Sequence, residues 1–137
     1  MQKIILDTNV LISFLTDRNL AQQEKAAEIF SQAAALQTEI LCQQEVISEF
    51  VYVMNSVYQV HKSEIRDMLM DFAEMPGIEI VAGLDLALVT KLWPAQIADY
   101  GDAVLAALCK KNRDSAVATF DRKFIKELTA AGIAVAK

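Results

Sequence analysis

The chain has 137 residues, 54% of them hydrophobic and 23% charged, with only four glycines and two prolines. That size suits one domain with a core of its own, and the composition excludes disordered and low-complexity classes. The net charge of −5 disfavours a uniformly basic nucleic-acid binder, yet it hides an asymmetry: six basic against fifteen acidic residues up to position 108, then seven against three from 109 onward.

Lys3 to Leu6 (KIIL) is a short apolar run with two β-branched residues, and it reads as a buried strand ending at Asp7. NVLISFL, which follows, is too apolar for a loop and predicts a helical turn or two. Residues 21–36 are rich in helix formers, and TEIL at 38–41 offers a second strand. From Gln43 to Tyr58, apolar residues recur at helical spacing, through Phe50 and Met54 to Val57 and Tyr58, so one helix with a fully apolar face is predicted. A helix over 62–74 closes at Pro76-Gly77, and IEIV at 78–81 is a third strand. Further helices cover 84–93, stopping at Pro94, and Tyr100 to Lys111. AVATF at 116–120 is a fourth strand, 121–131 a helix ending before Gly132, and IAV at 133–135 a last strand. Strands separated by helices predict an α/β fold with a parallel sheet covered on both faces, whose ligands gather outside the carboxyl ends of the strands. No linker or repeat divides residues 1–137.

No apolar stretch approaches a membrane span, and the N-terminus lacks a basic segment followed by an apolar one and a cleavage site, so the expected address is cytoplasmic. Cys42 and Cys109 are far apart, without CxxC spacing, which predicts reduced core thiols rather than a disulfide or a zinc site. His61 has no partner at ligand spacing and reads as an exposed helix-end residue. GxxxxGK[ST], GxSxG and a Gly-rich dinucleotide turn are all missing, so triphosphate hydrolysis and serine-hydrolase chemistry have no motif behind them.

Four carboxylates stand beside apolar runs: Asp7, Glu49, Asp102 and Asp121. A lone buried carboxylate is costly, whereas several around a hard cation form a stable site. Each also has a plainer reading. Asp7 can cap the helix beginning near Val10, although Asp7, Thr8 and Asn9 put three side-chain oxygens on one strand-to-helix turn. Glu49 sits at the border of the apolar stripe of its helix, where exposed glutamates are common; Glu45, one turn earlier, lies further out and reads as solvated. Asp102 is in the first turn of its helix, where the dipole favours negative charge, and Asp99 can cap that helix. Asp121 can cap the 121–131 helix, with Thr119 adding a hydroxyl nearby. Lys110, Arg122 and Lys123 offer a basic patch for a phosphate backbone, unless Lys110 and Lys111 only complement a helix C-terminus.

Taken together, ILDTNVLI, QEVISEFVYVM around Glu49, DAVLAALCKKN around Asp102, and ATFDRKF followed by GIAV resemble the PIN-domain nucleases, most closely the small VapC-type toxins. The resemblance extends from residue 3 to about 135. It implies a three-layer α/β/α sandwich with a short parallel sheet in the order 3-2-1-4-5, so that strands 1 and 4 bring Asp7 and Asp121 to one edge. It further implies an endoribonuclease dependent on Mg²⁺ or Mn²⁺. Asp7 and Asp102 would be the main metal ligands, Glu49 and Asp121 would complete the pocket, and Thr8, Asn9 and Thr119 would orient carboxylates or water, with Asp99, outside the four matched positions, as a helper. The implied partners are an RNA substrate, a cognate antitoxin that inserts a basic side chain, and a second copy of the chain, in keeping with a mean hydropathy of +0.27. A different class, a non-catalytic module whose acidic groove receives a partner's basic residue, also accounts for the cluster. A haloacid-dehalogenase-type phosphatase fits less well, because Asn9 stands where that family's DxD places its second aspartate.

Overall fold

A computed structural model describing residues 1–137 places strand β1 (Gln2–Leu6) inside a four-stranded parallel sheet, flanked by β2 (Thr38–Gln43) on one side and β4 (Ser115–Ala118) on the other. β3 (Ile78–Val81) pairs with the outer side of β2, giving the order β3-β2-β1-β4. Ile5 lies opposite Leu41 and Val117, and Ile4, Ile5 and Leu6 are all buried. Three successive buried residues, without alternation, are what a strand covered on both faces requires. The first two crossovers travel one way along the sheet and the third returns past β1, so right-handed connections put their helices on opposite faces. Helices α1 (Thr8–Leu15), α2 (Leu20–Ala34), α3 (Gln44–Tyr52) and α4 (Lys62–Glu74) precede β3, and α5 (Leu86–Leu92) and α6 (Tyr100–Lys111) lead to β4. Helix α7 (Arg122–Ala130) follows it.

The order of the four strands is the expected one, but the predicted fifth strand shrinks to a single bridge between Val135 and Val117. Its first residue is consumed elsewhere. Gly132, at φ +73, turns the chain out of α7, and the Ile133 amide donates back to the Leu128 carbonyl at 2.9 Å, which closes the helix end.

The helix predicted from Gln43 to Tyr58 is also shorter. After α3 the chain widens into a π turn over Val53–Val57, with the Tyr58 amide donating to the Val53 carbonyl. An extra residue in a turn rotates everything beyond it off the original stripe. Val46, Phe50 and Met54 are accordingly buried, whereas Val57 is 60% exposed. Phe30 of α2 stacks on Phe14 of α1 at 3.8 Å between ring centroids and meets Phe72 of α4 edge-on at 6.1 Å, tying three helices together. In α6 every residue from Ala103 to Ala107 is buried, and the helix packs on β1 and β4. Both cysteines are buried free thiols, as expected. No helix is long and apolar enough to cross a membrane.

Pro76-Gly77 ends α4 as predicted, and its glycine is needed for two reasons. Gly77 has φ +80, and a Cβ there would come within 2.5 Å of the Ala33 carbonyl oxygen, while its own carbonyl accepts from the Ile40 amide at 2.7 Å to start the β2–β3 pairing. Gly77→Ala is expected to cost ~1–3 kcal/mol in urea unfolding. Gly83→Ala, whose Cβ meets nothing within 4 Å, is expected to be near neutral.

Candidate active site

The carboxyl ends of β1 and β4 open onto a groove of about 320 Å³ lined by Asp7, Glu49, Asp99, Asp102, Asp121 and Glu127, with Thr8, Asn9, Ile12 and Lys123. All four carboxylates singled out in the sequence reach it, each from a different element. Asp7 continues β1, its amide donating to the Ala118 carbonyl of β4 at 3.0 Å, and then caps α1. Glu49 projects from α3, Asp102 from the first turn of α6, and Asp121 caps α7. Asp99 caps α6, accepting from the Asp102 amide at 2.9 Å. Capping a helix and lining the groove are therefore compatible for Asp7, Asp99 and Asp121. Three helix N-termini face the groove, and their dipoles offset part of the repulsion among the acids.

Thr119 is the hub of the polar contacts. Its hydroxyl donates to Asp7 Oδ2 at 2.6 Å and accepts from the Asn9 side-chain amide at 3.4 Å and the Asp121 backbone amide at 3.1 Å. With both acceptor positions used, its single proton is directed at Asp7. Asn9 Oδ1 in turn accepts from the Phe120 amide at 3.2 Å, pinning the β4–α7 turn to the start of α1. The Thr8 amide donates to Asp7 Oδ1 at 2.7 Å and the Thr8 hydroxyl to Glu49 Oε2 at 3.1 Å.

Burial pushes the Asp7 carboxyl up to about 6, held back from going higher by the bonds from Thr119 and Thr8, with Glu49 and Asp121 adding repulsion. Asp102, although half-exposed, is pushed further, to about 8: burial is again the main cause, Asp7, Asp99, Asp121 and Glu49 all raise it, and no donor opposes them. Burial raises both groups; donors hold Asp7 down, whereas repulsion from Asp7 and the other acids drives Asp102 further up.

The donors around the groove are all oxygen, which suits a hard divalent cation rather than zinc or copper. Gly101 leaves room beside the Asp99 carboxylate, since a Cβ there would lie 3.2 Å from Asp99 Oδ1. No group of three or more acidic, histidine or cysteine side chains stands close enough together to hold a metal ion by itself, so a cation here would take few direct protein ligands. An open set of carboxylates matches a cation that keeps several of its own waters.

Of the predicted basic residues, only Lys123 lines the groove; Arg122 turns into a neighbouring cavity. Lys110 stands in the last turn of α6, eight residues and therefore ~12 Å along the axis from Asp102, the position the helix-dipole reading assigns it. Lys111 is paired with Asp85 at 3.3 Å. Glu127 is the groove residue that sequence reasoning missed, and it anchors the α6 approach by accepting from the Ala98 amide at 3.0 Å. The available signal was its place four residues after Lys123, one turn along the same face of α7.

A family model described as PIN domain matches residues 4–127. No curated protein matches the chain. Among solved structures, a chain in the crystal structure of VapBC2 from Rickettsia felis bound to a DNA fragment from their promoter is similar, at 15% identity and a TM-score of 0.66, covering 98% of each chain.

The two raised carboxyls make stability depend on pH. Carboxyls that ordinarily ionise near 3.8 keep their protons to about 6 and about 8 in the folded chain, so the folded state binds more protons across that window. Their contribution is complete below the ordinary value and is lost as pH rises through the folded values. In chelator, Tm is expected to fall by a few °C (on the order of 2–6 °C) from ~pH 5 to ~pH 8.5, and Asp102→Asn to flatten that slope. Differential scanning calorimetry reads both, and a Tm that climbs over this range contradicts the assignment.

Proposed function

The chain belongs to the PIN-domain family, and from that membership we propose that it is a Mg²⁺- or Mn²⁺-dependent endoribonuclease of the VapC toxin type. One observation carries the reading: Asp7, Glu49, Asp102 and Asp121, spread over 115 positions of sequence, line a single groove together with two further acidic side chains and one lysine. In this reading Asp7 and Asp102 are the principal metal ligands, and Glu49 and Asp121 complete the set directly or through water. When bound, the cation supplies Lewis acidity at the phosphoryl group and a water acidic enough to act as nucleophile.

The chain's own residues prepare that site. Thr119 and the Thr8 amide hold Asp7 in one orientation and favour its ionised form, and the Thr8 hydroxyl aims Glu49 inward. Asn9 fixes Thr119 and the turn that carries Asp121. Asp99 secures the first turn of α6, and with it the backbone of Asp102. Burial and the neighbouring acids favour the protonated form of Asp102 up to about pH 8, which limits the charge gathered in the groove. Lys123, at the rim, meets the phosphate backbone of the RNA.

The similarity to a VapBC2 structure supports a further part of the proposal, a cognate antitoxin that silences the site with a basic side chain. Six carboxylates against one lysine make the groove a strong receptor for such a group. The same imbalance favours the second reading, a non-catalytic module that only binds that partner. Exposed Ile80, Leu84 and Leu86, around β3 and the start of α5, support a homodimer, and we place the assembly in the cytoplasm.

Purified protein is expected to cleave RNA with Mn²⁺ or Mg²⁺ and not in excess chelator. Asp7→Asn and Asp102→Asn should each lower the rate by ~100-fold or more with circular dichroism unchanged, and Thr119→Val by ~10–100-fold through the loss of its hold on Asp7. Full activity in either aspartate variant would sink the nuclease reading. Tight partner binding without metal-dependent cleavage would select the non-catalytic module.

A further inference from the structure

Behind the turn that carries Asp121 lies a second cavity, of about 560 Å³, between α2 and α7. Thr119 forms part of its wall, and the same residue's hydroxyl bonds Asp7, which lines the acidic groove. Its polarity is reversed. Lys25 of α2, Arg122 of α7 and Lys137 line it, against the one carboxylate of Glu28. None of the three cations is engaged in an ion pair; the chain's two pairs are Arg66 with Asp67 and Lys111 with Asp85. Phe120 contributes an aromatic ring that is half-buried, and its backbone amide is held by Asn9 at 3.2 Å, so the ring sits on a fixed support.

Phe120 also packs on the core, so only its cavity side is open to a ligand. Unpaired cations beside an aromatic side chain are the two elements with which proteins hold single-stranded nucleic acid: the cations take phosphates, the ring stacks a base whatever its identity. Asp121 lines the acidic groove and the next residue, Arg122, lines the basic cavity, so the two compartments meet at this turn. We propose that this cavity receives the nucleotide adjacent to the scissile phosphodiester, its phosphate between Lys25 and Arg122 and its base against Phe120. A base held there must be free of its stack, because a paired base cannot reach the ring. Only the identity of the neighbouring bond as the one cut rests on the nuclease reading; the binding itself does not need it.

The test separates the two. A fluorescein-labelled single-stranded RNA, and the same sequence closed in a duplex, are titrated with the protein in excess chelator over ~50–200 mM salt, with anisotropy as readout. Lys25→Gln and Arg122→Gln are expected to weaken single-strand binding about tenfold each and to reduce the salt slope by ~0.7 each. Both residues are exposed, so the variants should fold. Phe120→Leu, which keeps the packing and removes the aromatic face, is expected to weaken binding ~5- to 100-fold with the slope unchanged. Lys110→Gln, at the far end of α6, should bind as wild type. Wild-type affinity and slope in both cation variants overturn the proposal, as does equal binding of the duplex or no binding by the wild-type protein. Metal-dependent cleavage with binding untouched in the variants leaves the nuclease reading and removes this one. Binding that depends on Lys25 and Phe120 without any cleavage does the reverse.

Discussion

The hydrogen bond from Thr119 to Asp7 is the contact on which the rest of the site depends. It joins the carboxyl ends of β1 and β4 across 112 residues of sequence and keeps the most buried carboxylate of the groove oriented. A buried acid without donors would simply take up a proton. Asp7 is held to about 6 because Thr119 and the Thr8 amide supply two donors, whereas burial and repulsion from Asp7 and its acidic neighbours, with no donor to oppose them, raise Asp102 to about 8. The geometry of Thr119 is fixed in its turn by Asn9 and by the Asp121 amide, so the positions of two acids and of the α7 N-terminus form one connected network.

Around that network the fold performs two tasks with the same residues. Asp7, Asp99 and Asp121 satisfy free amides at the starts of α1, α6 and α7, which any helix in these places needs. Because a parallel sheet sends each chain segment out at the carboxyl ends of its strands, those capped helix starts converge, and with them the carboxylates. Capping brings the acids within reach of one another, and the helix dipoles make their proximity tolerable. Glu49 is the exception. It caps nothing, and it reaches the groove because Val46 and Phe50 bury the adjacent face of α3 while the Thr8 hydroxyl draws its carboxylate in.

The charge asymmetry has a structural counterpart. The basic residues of the last third of the chain do not form one patch: Lys111 is neutralised by Asp85, Lys110 lies at the opposite end of α6, Lys123 edges the acidic groove and Arg122 faces the cavity behind it. Lys25, from the acidic part of the chain, joins Arg122 there. An overall charge of −5 is thus compatible with adjacent compartments of opposite sign, one suited to a cation and one to a phosphate.

Whatever depends on neighbours in sequence could be read from the sequence. The β1 run, the breaks at Pro76-Gly77 and Gly132, the capping positions of Asp7, Asp99 and Asp121 and the border position of Glu49 follow from local periodicity, backbone freedom and hydrogen bonding within three or four residues. The PIN-like motif order added the strand order and the grouping of the four acids. Tertiary structure decided the rest. Whether the apolar stripe beyond Met54 stays on the core depends on a π turn, and whether residues 133–135 form a strand depends on the competing bond from Ile133 to Leu128. The inclusion of Glu127, the exclusion of Lys110 and the pairing of Lys25 with Arg122 across a cavity follow from how α2, α6 and α7 pack. Side chains far apart in sequence acquire distances only when the helices that carry them are fixed against the sheet, and a one-dimensional pattern holds no record of that distance.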